Sequence, residues 1–508
     1  MEQKAMLELQ SGSDIRGIAT QTNDTTITLT DEAIEAIAYG FVVWLKNKKQ
    51  VISTNDSSAS ITIGQDSRIS GNHIKAILIE TLRQLGITVF DVGLATTPAI
   101  FMSTQYEEYQ ADAGIMITAS HLPFQYNGLK FFTKDGGAEH EDIAYILQHA
   151  EQSKVDWPIN QQGDMFKKQL LQDYASDLEE KIRKGIRNAK DSYYPLKGTH
   201  IIVDAGNGAG GFFVADVLEK LGANTTGSQF LEPDGNFPNH IPNPDNKAAM
   251  KSLQDAVNKE NADMGIIFDT DVDRAALVDK NGNPLNRNNL IAVISAILIK
   301  ENPGTTIVTN STTSDHLKTF IEQLGGCQDR YLTGYRNVIN RAVELNRKGT
   351  SVSLAIETSG HAALRENYFL DDGAYLIAKI LIADAEMRKE GKDFSDLIAS
   401  LKQPAETDEV RFAILTDTVQ QTGEEVMAAF KKFAESTRGF SVERNNLEGV
   451  RVNLTEQYGS GFMLLRLSLH EPLLVLNMEN DQSGSILQLK DTLKTFFYSQ
   501  KELDSSRL

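Results

Sequence analysis

The sequence predicts an α/β protein in which three related α/β domains with mixed sheets precede a C-terminal α+β domain. Short β-branched runs alternate with amphipathic stretches through the middle of the chain, which is the pattern of βαβ units around a mostly parallel sheet. One such unit, a strand-like run followed by a polar loop and a helix that ends in Leu-Gly, recurs three times. The spacing between the copies is irregular, so separate domains are favoured over a solenoid.

The three copies and the last hundred residues indicate the domain boundaries. The strand-like runs and the glycines that end their helices are 61–63 with Gly86, 200–203 with Gly222, and 306–308 with Gly326. After residue 405, strand-like runs accompany helical stretches at 426–434 and 486–497, a pattern typical of helices packed on an antiparallel sheet. Composition shifts between these segments predict domains at 1–195, 196–300, 301–405 and 406–508.

Composition and charge narrow the functional class. The 508 residues include 50 Lys and Arg against 69 Asp and Glu, a net charge of −19, which argues against a nucleic-acid partner. Cys327 is the only cysteine, which excludes an internal disulfide and a cysteine-based zinc site. The longest apolar run, 290–299, is too short to span a bilayer, and the first residues contain no apolar signal core. We therefore expect a cytoplasmic protein without a membrane partner, whose oligomeric state the sequence does not indicate.

The first loop with candidate catalytic side chains follows the apolar run 111–117 and contains Ser120 and His121. The carboxyl end of a strand is where α/β sheets place their ligand sites, so Ser120 is a candidate nucleophile. The alternative is a serine that caps the next segment in an ST-turn. Adjacent side chains should point apart on extended backbone, and no G-x-S-x-G motif is present, so a hydrolase triad is not favoured.

The second loop has three carboxylates, Asp269, Asp271 and Asp273, at alternate positions directly after an apolar run. Carboxylates at this spacing converge on a hard cation such as Mg²⁺. An EF-hand is excluded, because its sixth and twelfth positions hold Arg274 and Lys280 instead of Gly and Glu. A solvated acidic turn is the remaining alternative, but three like charges this close repel unless a positive charge lies among them.

Two more polar loops follow strand-like runs. The third loop contains Glu357, Ser359 and His361, which suit hydrogen bonds to a polyol and equally suit the capping of a helix. The fourth contains Arg466 and Ser468, which suit phosphate binding, although a plain hairpin turn with an exposed Arg has the same sequence. Each loop taken alone leaves both alternatives open.

A glycine-rich run at 206–211 matches the G-x-G-x-x-G of dinucleotide sites. Such a site needs an acidic residue at the end of the next strand, and the nearest candidates, Glu232 and Asp234, lie in a Pro-Gly-Asn loop. We therefore interpret these glycines as sites of close packing between a helix and a strand.

Taken in this order, the four loops resemble the α-D-phosphohexomutase family, which includes phosphoglucomutase, phosphomannomutase and phosphoglucosamine mutase. Further motifs extend the resemblance over nearly the whole chain. They are Ser-Asp-Ile-Arg-Gly at 13–17, Pro-Asp-Gly-Asn-Phe-Pro-Asn-His-Ile-Pro-Asn-Pro at 233–244 and Gly-Tyr-Arg-Asn at 334–337. The resemblance implies four domains around a deep central cleft. It also implies an isomerase that interconverts hexose 1-phosphate and hexose 6-phosphate through a phosphoserine and a hexose 1,6-bisphosphate, which also acts as activator.

The resemblance implies a role for each matching residue. The phosphoserine is Ser120, and one Mg²⁺ is held by Ser120, Asp269, Asp271 and Asp273, with His121 and Arg274 close to the metal. The sugar hydroxyls and the phosphate that does not react are bound by Glu357, Ser359, Arg336, Arg466 and Ser468. The candidates for proton transfer or charge stabilisation are Lys130, His361 and Arg16.

The sequence departs from the family pattern in two loops. Leu122 replaces an Asn after Ser120, and Leu469 and His470 replace a Gly or Asn and a phosphate-binding Thr. We expect His470 to donate to the phosphate and Leu469 to pack away from the ligand. Thr358, where phosphoglucosamine mutases usually have Gln, favours glucose and mannose phosphates. A phosphoglucosamine mutase, a catalytically weak paralogue that binds sugar phosphates, and a phosphatase are the alternatives.

Overall fold

The computed structural model describes residues 3–49, 51, 59–150, 161–186, 191–469 and 471–508. They form two compact units, Met1–Leu290 with Ser359–Asp396 and Ile291–Thr358 with Leu397–Leu508. Among the helices of these described ranges, none has both the length and the apolar character of a membrane span.

The first unit begins with a mixed sheet. Its strands are β1 (Gln10–Ser11), β2 (Asp14–Ile18), β3 (Ser60–Gln65), β4 (Thr88–Leu94), β5 (Ala113–Ile117), β6 (Tyr126–Thr133), β7 (Gly136–Gly137) and β8 (Met165–Lys167). The helices are α1 (Gln3–Leu7), α2 (Asp31–Asn47), α3 (Gly71–Gln84), α4 (Thr97–Met102), α5 (His140–His149) and α6 (Leu170–Gly185). The order is β1-β2-β6-β5-β3-β4-β8, with β5, β3, β4 and β8 parallel. Because β3 and β5 are parallel neighbours, the loops that follow them lie at the same edge of the sheet.

Helix α2 illustrates how the sequence builds this sheet's core. Thr30 accepts a hydrogen bond from the amide of Ala33 and so caps the helix N-terminus. The apolar side of the helix buries Phe41 and Trp44, and Phe41 stacks on Phe131 of β6 with ring centroids 4.7 Å apart. This packing joins the helix to a large apolar cluster on one face of the sheet.

The second sheet of this unit has one parallel pair of strands at one edge and two antiparallel pairs beyond it. Its strands are β9 (Ile201–Asp204), β10 (Met264–Phe268), β11 (Ala275–Asp279) and β12 (Pro284–Leu285), and its helix is α7 (Lys247–Glu260). The order is β12-β11-β10-β9, with β9 and β10 parallel. A Cβ on Gly208 would lie 2.6 Å from the carbonyl oxygen of Thr270, and one on Gly210 would lie 3.0 Å from the ring of Phe268. The close-packing interpretation of the glycine-rich run is therefore confirmed.

The next stretch of chain contributes to both units. It contains β13 (Thr306–Asn310), β14 (Cys327–Tyr331), β15 (Val352–Ile356), β16 (Ala362–Leu364), β17 (Leu370–Asp371), α8 (Arg287–Glu301), α9 (Asp315–Gln323), α10 (Tyr335–Arg347) and α11 (Gly373–Arg388). In the second unit, β13 lies between β14 and β15 and is parallel to both. In the first unit, β16 and β17 form an antiparallel pair, and α11 packs against α6.

Two of the three repeated helices differ from the prediction. The helix that ends at Gly222 contains a π-helix, Phe213–Leu218, whose Phe213, Val214, Val217 and Leu218 are all buried. At the end of α9, Gly325 takes the left-handed conformation with φ 85°, in place of the predicted Gly326. Gly326 serves packing instead, because a Cβ there would lie 2.6 Å from the side chain of Ile299.

The C-terminal residues form the predicted α+β arrangement. The strands are β18 (Glu406–Ala413), β19 (Phe440–Val442), β20 (Val450–Leu454), β21 (Gly461–Leu467) and β22 (Leu473–Asn480), and the helices are α12 (Val419–Ser436) and α13 (Ser485–Phe497). The sheet is antiparallel in the order β18-β22-β21-β20-β19. Both helices pack on one face, where Phe412 of β18 stacks on Phe497 at 4.2 Å and Phe430 of α12 contacts the same ring.

A buried ion pair holds the loop before α7 against the second sheet. His240 Nε2 lies 3.0 Å from the carboxylate of Asp204, which ends β9, and His240 Nδ1 donates to the carbonyl of Ile241. Burial disfavours the imidazolium, but the hydrogen bond and charge of Asp204 outweigh it and raise the pKa of His240. The charged histidine therefore stabilises the folded state.

We predict that His240→Gln lowers the free energy of unfolding by about 1.5–3 kcal/mol, the range for a hydrogen bond to a charged group. Because the folded-state pKa is raised, this contribution is complete below about pH 6.5 and is lost as the pH rises through the folded pKa. Denaturation of wild type and variant between pH 5 and 9 measures the difference. The control His73→Gln, which breaks an exposed pair with Asp31, should change stability little. A difference for His240→Gln that does not depend on pH would contradict the prediction.

Candidate active site

Ser120 lies buried in the loop after β5, next to the acidic loop after β10. Its Oγ donates to Asp269 Oδ2 at 3.0 Å and accepts from Arg274 Nη2 at 3.1 Å. His121 Nδ1 is 3.3 Å from the same Oγ. The expectation that Ser120 and His121 point apart is wrong, because Ser120 has φ 49° and its backbone is left-handed rather than extended.

The acidic loop brings three carboxylates together inside the protein. Asp269, Asp271 and Asp273 are buried, and one oxygen from each lies within 4.8 Å of the others. The loop turns at Val272, whose φ is 64°, and the amide of Gly373 at the start of α11 donates to the carbonyl of Val272 at 3.0 Å. A side chain at position 373 would force the backbone to shift, because its Cβ would lie 2.6 Å from the backbone of Arg274.

Two cations face these carboxylates. Lys130 Nζ lies 3.1 Å from Asp271 and also forms an ion pair with Asp273, and Arg274 Nε donates to Asp269 at 3.1 Å. Burial opposes ionisation of Asp273, but Lys130, His361 and Arg274 outweigh it and hold its pKa well below the ordinary value. Burial together with the charge of Asp273 raises the pKa of Asp269 instead. When all three carboxylates are ionised, the two cations leave one negative charge in this group unbalanced.

The donor set fits a hard divalent cation. Asp271 Oδ1 and Asp273 Oδ1 are buried and have no hydrogen-bond partner among the described residues. Buried carboxylate oxygens without donors are costly in a protein interior, and oxygen-rich clusters of this kind are the preferred ligands of Mg²⁺. The three aspartates are therefore able to hold a metal ion.

Two neutral imidazoles border the carboxylates. Burial, reinforced by Arg274 and Arg16, lowers the pKa of His121 to about 2, and His121 Nδ1 accepts from Arg274 Nη2 at 2.7 Å. Burial also lowers the pKa of His361 to about 3, with Arg274 and Lys130 acting in the same direction against Asp273. His361 Nδ1 is 2.9 Å from Ser359 Oγ, and its Nε2 is 3.7 Å from Asp273.

Arg16, the remaining cation among the predicted catalytic residues, lies on β2 directly opposite Gly128 of β6, the strand that carries Lys130. Arg16 Nη2 donates to Asp14 at 2.9 Å. A Cβ on Gly128 would lie 3.1 Å from Arg16 Cγ, so glycine leaves room for the arginine side chain to cross the strand.

A fully buried ion pair that the sequence analysis missed supports the Ser120 loop. Arg68 donates from Nη1 to the carbonyls of Pro123 and Tyr126, and from Nη2 to those of Ser120 and Leu122. Asp66 Oδ2 lies 3.4 Å from Arg68 Nε and accepts from Thr118 Oγ1 at 2.7 Å. The fork of a guanidinium suits this task, because it offers five donors in one fixed plane. The local signal was present as Asp66-Ser-Arg68 directly after a strand-like run.

Thr97, which the sequence analysis also missed, supports the acidic loop. Its amide donates to the carbonyl of Asp271 at 2.9 Å, and its hydroxyl donates to the Asp271 carboxylate. Thr97 is the first residue of α4, so the helix N-terminus faces an anionic side chain, as its dipole favours.

The second unit holds the other predicted binding residues on three segments of chain. Glu357, after β15, accepts from the amide of Gly334, two residues before Arg336 at the start of α10. Arg466 and Ser468 lie at the end of β21 and in the turn that follows it, where Ser468 Oγ accepts from the amide of Glu471. Leu469 is half exposed in the same turn, and His470 lies outside the described residues.

Comparison with known proteins identifies matches along most of the chain. The family models for phosphoglucomutase/phosphomannomutase alpha/beta/alpha domains I, II and III match residues 8–155, 172–282 and 286–404. The predicted series of three related α/β domains is therefore confirmed.

Individual proteins agree with the family models. The chain is 29% identical over 448 residues to a phosphomannomutase/phosphoglucomutase of Pseudomonas aeruginosa, with 88% of each chain covered. It is also 29% identical over 493 residues to a phosphoglucomutase of Neisseria gonorrhoeae, with 96% of each covered.

Solved structures show the same fold. A phosphoglucomutase/phosphomannomutase family protein of Burkholderia thailandensis superposes with a TM-score of 0.76 at 24% identity, covering 99% of this chain and 98% of that one. A phosphoglucomutase from Paramecium gives a TM-score of 0.68 at 15% identity, covering 96% and 94%. The family models, the curated relatives and the fold agree, and the chain belongs to the phosphoglucomutase/phosphomannomutase enzymes of the α-D-phosphohexomutase family.

Proposed function

We propose that this enzyme interconverts hexose 1-phosphate and hexose 6-phosphate, with glucose and mannose as the sugars, by transferring a phosphoryl group to and from Ser120. The observation that carries the proposal is the hydrogen bond between Ser120 Oγ and Asp269, with the Arg274 guanidinium donating to the same oxygen. A serine that only capped a turn would have no need of a buried acidic cluster and an arginine at its hydroxyl. Phosphoryl transfer needs both, because it depends on positioning and on neutralising charge on the transferred group.

Different residues of the first unit are assigned different roles in phosphoryl transfer. Asp269, Asp271 and Asp273, with an oxygen on Ser120, would hold one Mg²⁺, which when bound supplies positive charge to the phosphoryl oxygens. Arg274 orients Ser120 Oγ and brings a permanent positive charge to it. Lys130 adds a second charge at the same carboxylates.

Two more residues are proposed for proton transfer or charge stabilisation. They are His361, whose Nε2 lies 3.7 Å from Asp273, and Arg16. Burial, with Arg16 among the neighbouring positive charges, lowers the pKa of His361 and keeps its imidazole neutral. His121 is held by Arg274 as an acceptor, so we assign it to orienting the arginine rather than to proton transfer.

We assign recognition of the substrate to the remaining polar residues. Glu357 and Ser359 are proposed to bind sugar hydroxyls. The phosphate that does not react is proposed to be bound by Arg336, Arg466 and Ser468. Arg466 Nε is buried without a hydrogen-bond partner among the described residues, which supports a missing anionic acceptor at this position. The contribution of His470 to that phosphate stays a prediction.

The same proposal includes three broader points. Hexose 1,6-bisphosphate is the intermediate and the activator, because it rephosphorylates Ser120 when it returns either phosphate. The domain division at 1–195, 196–300, 301–405 and 406–508 is supported by the ranges of the family models, which end at residues 155, 282 and 404. We also propose a cytoplasmic location.

A coupled assay with glucose 1-, mannose 1- and glucosamine 1-phosphate, primed with the corresponding bisphosphate, tests the activity. Formation of the 6-phosphate from the first two sugars supports the proposal. Preference for the glucosamine ester would indicate a phosphoglucosamine mutase. Inorganic phosphate as the main product would indicate a phosphatase, and binding of the sugar phosphates without any product would indicate a sugar-phosphate-binding paralogue.

We predict that Ser120→Ala lowers kcat at least about a thousandfold, the loss expected when a covalent step is removed, and leaves sugar-phosphate binding intact. Intact-mass analysis of wild type should show a fraction with one added phosphoryl group, absent from the variant. Ser295→Ala is the control, because it removes another buried hydroxyl, one without a hydrogen-bond partner among the described residues. Retention of more than about a thousandth of wild-type kcat in Ser120→Ala would rule out the assignment.

A second prediction concerns the metal. Chelation should stop turnover and Mg²⁺ should restore it, and Asp271→Asn should weaken Mn²⁺ binding, measured by calorimetry, at least about tenfold. Loss of even an outer partner of a metal ligand typically costs that much affinity. Asp255→Asn, which removes an exposed carboxylate paired with Lys251, should bind Mn²⁺ as wild type does. Full turnover in excess chelator, or unchanged Mn²⁺ binding by Asp271→Asn, would contradict the assignment.

A third prediction concerns Arg68 and the loop it supports. Arg68→Lys keeps the positive charge but removes the planar guanidinium that binds the loop carbonyls. We expect kcat to fall up to about a hundredfold with little change in KM, because a misplaced nucleophile slows the chemical step. Arg451→Lys also replaces a fully buried guanidinium, in the second unit, and should lower the melting temperature similarly while retaining much more kcat. Equal kcat losses in the two variants would show that Arg68 acts through stability alone.

A further inference from the structure

The loop at 332–334, here called the Thr333 loop, lies between β14 and α10 and is held by two carboxylates from different parts of the second unit. The amide of Thr333 donates to Glu448 Oε1 at 3.2 Å, and the next amide, that of Gly334, donates to Glu357 Oε1 at 2.7 Å. Thr333 Oγ1 donates to Glu448 Oε2 at 2.7 Å, and the hydroxyl of Ser311 donates to the same oxygen. Glu448 therefore accepts three hydrogen bonds at a position that none of the predicted roles explains.

Glu448 is rigidly connected to the predicted phosphate-binding strand. It lies two residues before β20, and Val450 at the start of β20 pairs with Leu465 of β21. A Cβ on the intervening Gly449 would lie 2.9 Å from Arg466 Cβ, so the backbone next to Glu448 is packed directly against Arg466. One hairpin thus carries Arg466 and the carboxylate that holds the Thr333 loop.

A second contact joins the same two loops. Leu469, in the turn after β21, lies against Gly334, since a Cβ there would be 3.1 Å from Leu469 Cδ1. Gly334 has φ 119° and ψ 126°, a backbone conformation that side chains rarely adopt. The residue that replaces the family's Gly or Asn therefore packs on the Thr333 loop.

We propose that Glu448 is a positioning residue that sets the distance between the phosphate-binding turn, with Arg466 and Ser468, and the sugar-binding group formed by Glu357 and the Thr333 loop. This inference rests on the proposed function, which assigns those residues to substrate. The sugar and the distal phosphate of one ligand are separated by a fixed distance. Two binding groups already held at that distance bind both ends without a further ordering cost.

The chemistry of the contact supports this role. Hydrogen bonds to a carboxylate are charge-assisted and roughly twice as strong as neutral ones, so three of them hold the loop firmly. The contacted amide begins the turn into α10, where the helix dipole also favours a negative charge. Loss of Glu448 should therefore release the Thr333 loop from the hairpin without removing any group proposed to touch the substrate.

Calorimetry with glucose 1,6-bisphosphate and with inorganic phosphate tests the inference in full-length protein carrying Ser120→Ala. We expect Glu448→Ala to raise the Kd for the bisphosphate about tenfold, the equivalent of about 1.4 kcal/mol, and the Kd for inorganic phosphate less than about twofold. Inorganic phosphate engages only one of the two binding groups, so it does not depend on their separation. Glu448→Gln keeps a carbonyl that accepts from the Thr333 amide and should recover most of the lost affinity.

Glu443→Ala is the matched control. Glu443 lies in the same connection between β19 and β20 as Glu448 and pairs with Arg451 at 3.3 Å and Arg330 at 3.9 Å. Its loss should therefore also affect stability, but it has no assigned contact with substrate. We expect its Kd for the bisphosphate to stay within about twofold of the parent.

The outcomes separate this inference from the proposed function. A parent protein that does not bind the bisphosphate would overturn the proposed function and the inference with it. A parent that binds, together with a Glu448→Ala variant that matches Glu443→Ala or that weakens both ligands equally, would overturn the inference alone.

Discussion

The three buried carboxylates of the loop after β10, when ionised, carry more negative charge than the two neighbouring cations balance. The other contacts of the active site in the first unit depend on this excess charge. Burial in a medium of low dielectric makes uncompensated charge expensive, so Arg274 and Lys130 are each held against these carboxylates. The remaining charge is what a divalent cation would neutralise. Ser120 shares this environment because its hydroxyl donates to Asp269. The nucleophile and the acidic loop are therefore one electrostatic system rather than two adjacent motifs.

This electrostatic system depends on rigid backbone around it. Ser120 and Val272 both have positive φ values, which cost free energy for residues with side chains and persist only where neighbours enforce them. Arg68 enforces the first by binding four carbonyls of the Ser120 loop, and Gly373 enforces the second through its amide. The parallel pairing of β3 with β5 makes the first arrangement possible, because it ends both loops at one sheet edge.

The second unit uses charge differently. Here two carboxylates from different segments, Glu357 and Glu448, each accept a hydrogen bond from one of two consecutive amides of the Thr333 loop. Arg451, a buried residue of β20, donates to the carbonyls of Ser311 and Thr313 and lies 3.5 Å from the ring centroid of Phe462. Polar contacts of this kind specify a geometry more sharply than apolar packing, since each donor and acceptor has a direction.

Much of this protein follows from local sequence. Strand and helix periodicity, a glycine after each repeated helix and the alternate spacing of Asp269, Asp271 and Asp273 are properties of short segments, and they predicted the fold class and a metal site. The ordered motifs pointed to Ser120 in the same way. Tertiary structure decided what lies between distant segments. Arg68 is 52 residues from Ser120 and Glu448 is 115 residues from Thr333, and no periodicity or spacing relates such pairs. The left-handed backbone at Ser120, which turns its hydroxyl toward both His121 and Asp269, is likewise a tertiary outcome, because no local pattern favours positive φ at a serine.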